Sequence, residues 1–591
     1  MNTFTIATTV SISEDNSLLF TAQAGDIIHT KGYYDEDDKN GATFTVRARE
    51  ANEYMDSVVR YPLRNNLTAE FLCNSDSVRI EQLGAVHHGM PIESTFLDGN
   101  PEGTAEKNSD VFYYALNSAD CSKIILSQNA VYDFLSAYIY NKRLTIDGNG
   151  ATLQQVSTTI TPCLQIVSSP RIVIRNLKLI SMCTGNSIAG VYSYRSKVHL
   201  HNVHIVSDRM GLHIAGSSAY NRICAQNVCI QAGSVGIQCE DTKFAEFRNV
   251  KIDASGTGFV TYGESENLRC RHVCIRNAST GMDIHAMNAC LLSDISLFNV
   301  NKAFNFTSVT GAVLSDFCAT QVKKGFSFSN CNNISITKGF VRSQNRSGAN
   351  SSDLLLDASQ KSHHILFADC SFDFATRWFS VNNTTSNQAD LSFLHCRFCA
   401  RETPEATPYP AIIQRGTVNA SFCDCTFYVK SFPWLTGTPG SVSPNAAMFY
   451  FKTTTRNTPV YTWAFEHCRF LHDSADNETQ RVTVNSPFWV DDAFWDSTAE
   501  QYSHYEKTHI LLTGCSLHDF RWTIRLFSDG APINIDPAQS GFPTDTVIAT
   551  AAAGLTGENR FFSHQNQYDY SDIPAGYTGY RRDAEEYGIS Q

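Results

Sequence analysis

The sequence reads as an all-β chain built as a solenoid of short parallel strands, and three observations say so. An eight-residue unit, apolar–x–apolar–x–(Asn/Asp/His)–apolar–x–apolar, recurs thirteen times between Leu177 and Cys515. A second unit, Gly–apolar–x–apolar, runs in phase with it. The position before the key apolar residue is filled repeatedly by a side chain suited to a tight bend.

The key position of the first unit falls at Leu177, Val203, Val228, Val250, Val273, Ile295, Phe317, Gly339, Cys370, Cys396, Cys425, Cys468 and Cys515. The spacing holds at 22–26 residues as far as Gly339 and then widens to as much as 47. A repeat of this length means a stacked array, and alternation of period two means that its units are strands. The second unit appears at Gly211, Gly236, Gly258, Gly281 and Gly325, with Ala303 in the same place. One period therefore holds three short strands and three turns, one coil of a right-handed parallel β-helix. A coil cannot bury its apolar face alone, so coils stack and share a core. A propeller blade needs roughly 40–50 residues, and the leucine-rich signature is absent. Before the key position stand Asn176, Asn202, Asn227 and Asn249, then His272, Asp294 and Asp316. Stacked asparagines at a bend can pair from coil to coil.

These asparagines, together with the segment Leu144-Thr-Ile-Asp-Gly-Asn-Gly-Ala-Thr-Leu153, resemble the pectate-lyase-like β-helix superfamily. Val78-Arg-Ile-Glu-Gln-Leu-Gly-Ala85 is similar to the entry motif of that domain in phage tailspikes and polysaccharide enzymes. His87-His88-Gly89 stands where the family has Gly-Asp-Gly. Lys31-Gly-Tyr-Tyr-Asp and Lys39-Asn-Gly-Ala-Thr-Phe-Thr-Val46 resemble the small β module found near the start of many tailspikes.

The chain divides accordingly. Residues 1–75 form an N-terminal β module resembling a virion-attachment module, with strands at Ile27–Tyr34 and Thr43–Arg47 around an Asp35–Gly41 turn. Residues 76–153 form the entry and cap, with a helix expected at Ser109–Ser118, capped by Ser109. Residues 154–530 form the β-helix, with insertions at 343–352, 400–410, 431–447 and after 473. Residues 531–591 form an irregular extension rich in Tyr, Gly, Asp and Arg that can pack on a neighbouring subunit.

A net charge of −12 with 18% charged residues argues against a nucleic-acid binder. No apolar run is long enough to span a bilayer, and the N-terminus lacks a basic-then-apolar signal. The expectation is a soluble protein assembled in a cytoplasm, with no membrane insertion, which also leaves sequons such as Asn66 and Asn383 unglycosylated. The 19 cysteines are odd in number and many occupy core positions, so most are expected as free thiols. No pair has zinc-ligand spacing, and neither a metal nor a cofactor is expected.

Alternation places two columns of side chains outward on the Gly strands. One is His213, Gln238, Val260, Asp283 and Asn305; the other is Ala215, Glu240, Tyr262, His285 and Thr307. Glu264 lies in an adjacent turn. Glycoside hydrolysis needs two carboxylates. Glu240 and Asp283 are two coils apart, about 9.6 Å along the stack, and Glu264 can pair with either. A lyase would use Tyr262 or His285 as base. The candidate catalytic residues are thus Glu240, Glu264, Asp283, Tyr262 and His285. The candidate glycan-binding residues are His213, Trp378, Trp434, Trp463 and Trp495.

The resemblance implies a homotrimeric tailspike or tail fibre of the virion. It would bind a host cell-surface glycan and join other tail or baseplate proteins through its N-terminus. A β-helix glycosidase or lyase outside a virion, and a non-catalytic virion protein, share the fold and stay open.

Overall fold

The computed structural model describes residues 1–343 apart from 74–75, 89, 91–100, 119, 157–160, 183–187 and 218; beyond 343 it describes chiefly the strands and short turns, as far as Asp569. The chain forms two compact units, Met1–Ile275 and Arg276–Gln591.

The first unit opens with a five-stranded sheet. The two expected strands are present as Ile27–Gly32 and Thr43–Ala48, paired antiparallel. Asp38 shapes the turn between them by accepting hydrogen bonds from the backbone N–H groups of Tyr33, Tyr34 and Asn40. Tyr34 donates its hydroxyl to the carbonyl of Gly84 at 2.7 Å, tying this module to the entry motif.

The helix spans Pro101–Asn117, starting eight residues before the expected cap. Ser109 is therefore not a cap; its hydroxyl donates to the carbonyl of Ala105 within the helix. Pro101 and Gly103 made this stretch read as loop, although proline suits a first helical turn. The helix closes the open end of the solenoid. Asn117 accepts from the Tyr140 N–H and donates to the Tyr138 carbonyl, satisfying an edge strand that would otherwise be bare. Buried Asn108 binds both backbone groups of Val86 and the carbonyl of Asp133.

The repeat itself is one bent strand per coil. Arg171–Ser181, Lys197–Ser207, Arg222–Ala232 and Phe244–Ala254 pair in parallel register. The Gly units form a second parallel sheet of short strands: Ala137–Tyr140, Leu164–Val167, Ala189–Tyr194, Met210–Ala215, Val235–Glu240 and Thr257–Tyr262. Their glycines answer a packing demand. A Cβ on Gly236 would lie 2.3 Å from a methyl of Ile252 and 2.4 Å from the Gly258 carbonyl oxygen.

The second unit repeats the design. Bent strands Met287–Phe298, Thr310–Val322 and Asn332–Ser343 pair in parallel, beside short strands Thr280–His285, Lys302–Thr307 and Lys324–Ser329. From Ser362 the bent strand is split at its corner into two, as in Val418–Cys423 and Thr426–Val429. The parallel pairing runs past the expected end at residue 530. Arg560–His564 and Gln567–Asp569 add a further coil upon Thr508–Thr513 and Ser516–His518. Part of the expected C-terminal extension, residues 560–564 and 567–569, thus belongs to the solenoid; polar Gln565, Asn566 and Gln567 hid the repeat.

All thirteen residues preceding a key position adopt the left-handed conformation, with φ between +51° and +61°. This is the bend. Asparagine suits it because its short amide tolerates left-handed backbone. The amides also pair: Asn202 donates to Asn176 at 3.1 Å, Asn227 to Asn202 at 3.0 Å and Asn249 to Asn227 at 2.8 Å. The key position just after the bend points inward. Gly339 is the exception because the Phe317 ring already fills the site, 1.8 Å from where a Cβ would stand.

The cores of the two units differ in filling. The first is aliphatic, with Val198, Val203, Ile205, Ile223, Val228 and Ile230 at most 2% exposed. The second is aromatic: Phe393, Phe422 and Phe465 stack at 4.8 Å between ring centres, and Phe398, Phe427 and Phe470 at 5.0–5.1 Å.

Beside these rings runs a ladder of thiols. Cys425 donates to the carbonyls of Cys423 at 3.4 Å and Phe393 at 3.5 Å, and Cys370, Cys396, Cys468 and Cys515 repeat the pattern. The carbonyls two residues back at Leu394, Cys423, Glu466 and Thr513 already accept a backbone N–H from the neighbouring coil, so each thiol adds a second, weak donor without adding bulk. Every described cysteine is a free thiol.

Two outcomes are expected. Asn227→Ala loses two amide contacts and strains a left-handed bend, lowering stability by about 1–2 kcal/mol, whereas Lys338→Asn at a bend of φ +53° raises it; thermal melts of the variants against the parent measure both. The five ladder thiols resist alkylation at pH 8 in the native protein and react fully after denaturation, as mass spectrometry of iodoacetamide-treated samples would record.

Candidate functional site

The outward face of the short-strand sheet in the first unit carries the richest chemistry among the described residues. Strand register stacks its side chains in two columns. Tyr138, Gln165, Tyr192, His213 and Gln238 form one; Tyr140, Val167, Tyr194, Ala215, Glu240 and Tyr262 form the other.

Four tyrosines make a two-by-two array. Tyr138 and Tyr140 lie nearly parallel with ring centres 6.3 Å apart, and Tyr192 and Tyr194 repeat this at 6.4 Å. The two pairs are separated by one strand, hence by about 9.6 Å along the stack. Tyr140 is 53% exposed. Arg195 lies 5.0 Å above the Tyr194 ring. These tyrosines precede the first regular Gly unit, so the Gly pattern does not mark them. The period-two alternation of Tyr in Ala137–Tyr140 and Ala189–Tyr194 is the signal that does.

Next to the array lies a polar network. The Tyr192 ring meets the His213 ring edge-on at 5.1 Å. His213 Nε2 is 3.3 Å from Glu240 Oε2 and 3.2 Å from Gln238 Nε2, while its Nδ1 is buried without a partner. With the proton on Nε2, His213 donates to Glu240; with it on Nδ1, Nε2 accepts from the Gln238 amide instead. Burial lowers the His213 pKa despite the neighbouring carboxylate, so the ring is neutral near pH 7. The first column is less open than alternation implies: His213 is only 8% exposed and Val260 1%. Tyr262 is 43% exposed and sits in register beside Glu240. Glu264 is exposed, and its backbone N–H donates to Asp241 at 2.9 Å. Glu240, Tyr262, Glu264 and His213 thus all belong to the first unit.

Asp283 and His285 belong to the second. His285 Nε2 lies 2.7 Å from Asp283 Oδ1, which also accepts from Asn305 at 2.6 Å. Burial works to raise the Asp283 pKa, but the contacts with His285 and Asn305 leave it below the usual value. The pair is a carboxylate holding an imidazole, an arrangement suited to moving a proton.

The tryptophan assignments fare differently. Trp463 is a core residue, 0% exposed, with its indole N–H donated to the Val418 carbonyl at 2.9 Å. It is not available to a glycan; the alternation of Tyr461-Thr-Trp463-Ala-Phe465 puts it inward. Trp378 and Trp434 lie outside the described residues, as do nearly all residues of the four insertions. Trp495 lies on a hairpin strand, Ala493–Asp496, paired antiparallel with Gln501–His504.

No group of three or more His, Cys, Asp or Glu side chains among the described residues is arranged to hold a metal ion. A series of buried hydroxyls has no counterpart in the sequence reading. Ser169 accepts from the Lys142 N–H, Ser196 from the Ser169 N–H, and Ser265 from the Thr242 N–H. They close the turn between short and bent strands.

No family model matches the chain, and no curated protein does. Among solved structures, the gp42 tailspike of Acinetobacter phage vb_AbaP_AS12 aligns over 93% of this chain and 79% of its own, at 11% identity and TM-score 0.38. Tailspike protein 2 of an Escherichia coli O157:H7 bacteriophage aligns over 91% of this chain at 10% identity and TM-score 0.30, and the chain spans 56% of that protein. WceF of Pantoea stewartii, described as a glycan biofilm modifying enzyme, aligns over 81% of this chain and 48% of its own, at 9% identity and TM-score 0.20.

The histidine geometry predicts a pH dependence. His213 has a folded pKa below its unfolded value near 6.5, so the unfolded chain binds the proton first. Stability is full above pH 6.5 and falls as pH drops from there to the folded pKa. His199 and His204 are lowered in the same sense, burial being the main cause. The melting midpoint of the protein should decline below pH 6.5, and His213→Gln should decline less steeply over the same window.

Proposed function

We propose that this protein is a tailspike or tail-fibre component that binds a host cell-surface polysaccharide. The observation that carries this reading is the tyrosine array beside the His213–Gln238–Glu240 network. Flat apolar faces next to directed polar groups suit a sugar, whose ring presents C–H groups on its faces and hydroxyls on its rim. The array repeats along a rigid sheet, as a polymer of repeating sugars requires. The motifs Val78–Ala85 and Leu144–Leu153 and the small N-terminal sheet support the virion reading. In it, the N-terminal sheet joins other tail or baseplate proteins, and the chain assembles as a homotrimer in the host cytoplasm.

Degradation of the bound glycan is the finer step of the proposal. Glu240 is its leading acid or base, with Glu264 the second carboxylate of the same unit and Tyr262 beside it. Asp283 and His285 form a separate proton-transfer pair.

Incubation of the protein with purified envelope polysaccharide, followed by sizing of the products, tests this. Tyr192→Ala with Tyr194→Ala should weaken binding roughly tenfold or more. Glu240→Gln should abolish product release while binding survives; retained release would remove Glu240 from the chemistry. Absence of any cleavage by the parent would leave a binding protein only. Light scattering should give a trimer, and a monomer would count against the tailspike reading.

A further inference from the structure

The bent-strand sheet of the first unit carries a row of cations that nothing on the described surface neutralises. Arg143 faces Arg171 across one strand pair, and Lys197 faces Arg222 across another. Pairing of Ile172 with Val198 puts Arg171 beside Lys197. Four like charges thus stand in one column at the strand spacing of about 4.8 Å. Arg143, Arg171 and Arg222 are exposed and Lys197 half-buried. Among the described residues none of the four has an ion-pair partner, whereas some cations elsewhere on this sheet do. Arg175 and Lys123 hold Asp147, Arg248 holds Glu246, and Lys243 holds Glu266. The column continues to Phe244, over whose ring Arg269 lies at 5.9 Å.

Like charges in register on neighbouring strands oppose folding. A protein of net charge −12 that keeps four of them in line without acids between has placed them for something other than stability. Beside the column runs a shallow groove of about 270 Å³ lined by His199, His201, Cys224, Gln226, Glu246 and Arg248. The His199 Nε2 is buried there with no hydrogen-bond partner. Burial lowers the His199 pKa, and the charges of Lys197 and Arg171 lower it further, which registers the positive field at the groove.

We infer that this face binds a polyanionic saccharide, a polymer carrying carboxylate or similar acidic groups at regular intervals. Acidic groups lie along Arg143, Arg171, Lys197 and Arg222, and ring hydroxyls enter the groove toward His199 and Gln226. The advance of one sugar ring along an extended chain is close to the strand spacing, so successive anions meet successive cations. This surface is separate from the tyrosine array, and the inference rests on the polysaccharide reading only in taking a glycan as the ligand.

The test uses the full chain with three probes: polygalacturonate, neutral dextran and a single-stranded DNA of similar length. Titrations are run at about 50 and about 300 mM NaCl. Polygalacturonate should bind more tightly than either other probe and weaken with salt. The triple variant Arg171→Gln, Lys197→Gln, Arg222→Gln should lose roughly tenfold or more in its affinity. Its melting midpoint should equal or exceed the parent's, because a repulsion has been removed. Salt-dependent binding lost in the triple variant reports this face, and salt-independent binding lost in the Tyr192→Ala, Tyr194→Ala variant reports the tyrosine array, so failure of the tyrosine site and failure of this one read out separately. Equal binding of polygalacturonate by the triple variant, tighter binding of DNA or dextran, or a fall in the triple variant's melting midpoint would each overturn the inference.

Discussion

The structure depends on a left-handed bend placed once in every coil. A flat parallel sheet of this sequence would expose one whole apolar face. Turning each strand through a corner lets both arms point the same alternation inward, and the coil closes with one more short strand. The residue at the corner must accept φ near +53°, and the residue after it must fill the interior. Those two demands explain the repeat: Asn, Asp or His first, an apolar residue next. Where the corner residue is asparagine its amide also binds the neighbour above, so that a local backbone demand becomes a continuous ladder.

The same corner sets the chemistry of the later coils. From Cys370 onward aromatic rings fill the interior and the position after the bend holds a small side chain. Cysteine is small, apolar and able to add a second, weak donor to a corner carbonyl that already accepts a backbone N–H. The five stacked thiols are therefore structural, and burial pushes other core thiols such as Cys239 and Cys290 well above their ordinary pKa.

Much of this was legible in the sequence because periodicity is a direct image of backbone geometry. The bent strands, the short Gly strands and the bend residues all follow from the repeat. The helix start at Pro101 was not, because Pro and Gly within the first turns mimic a loop. The coil formed by Arg560–His564 and Gln567–Asp569 was not, because its key position is polar. For the site, alternation identified the column holding Glu240 and Tyr262 but overstated the openness of the one holding His213. It also set aside the tyrosines, which lie on coils without the regular Gly unit. Trp463 shows the opposite error: its residue type suggested a sugar contact, while the alternation of its own strand turns it into the core.

A rigid repeating sheet offers binding groups at fixed intervals, and the two outward faces of the first unit use this differently. One presents rings and a histidine–carboxylate network, the other a line of cations. Both are possible only because the corner keeps every coil in register. The most direct measurement is therefore an experimental structure fine enough to fix backbone torsions. The account predicts left-handed φ, near +50° to +60°, at all thirteen corner residues from Asn176 to Gly514, with the asparagine amides paired from Asn176 to Asn249. Extended torsions at these corners, or asparagines turned away from one another, would contradict it.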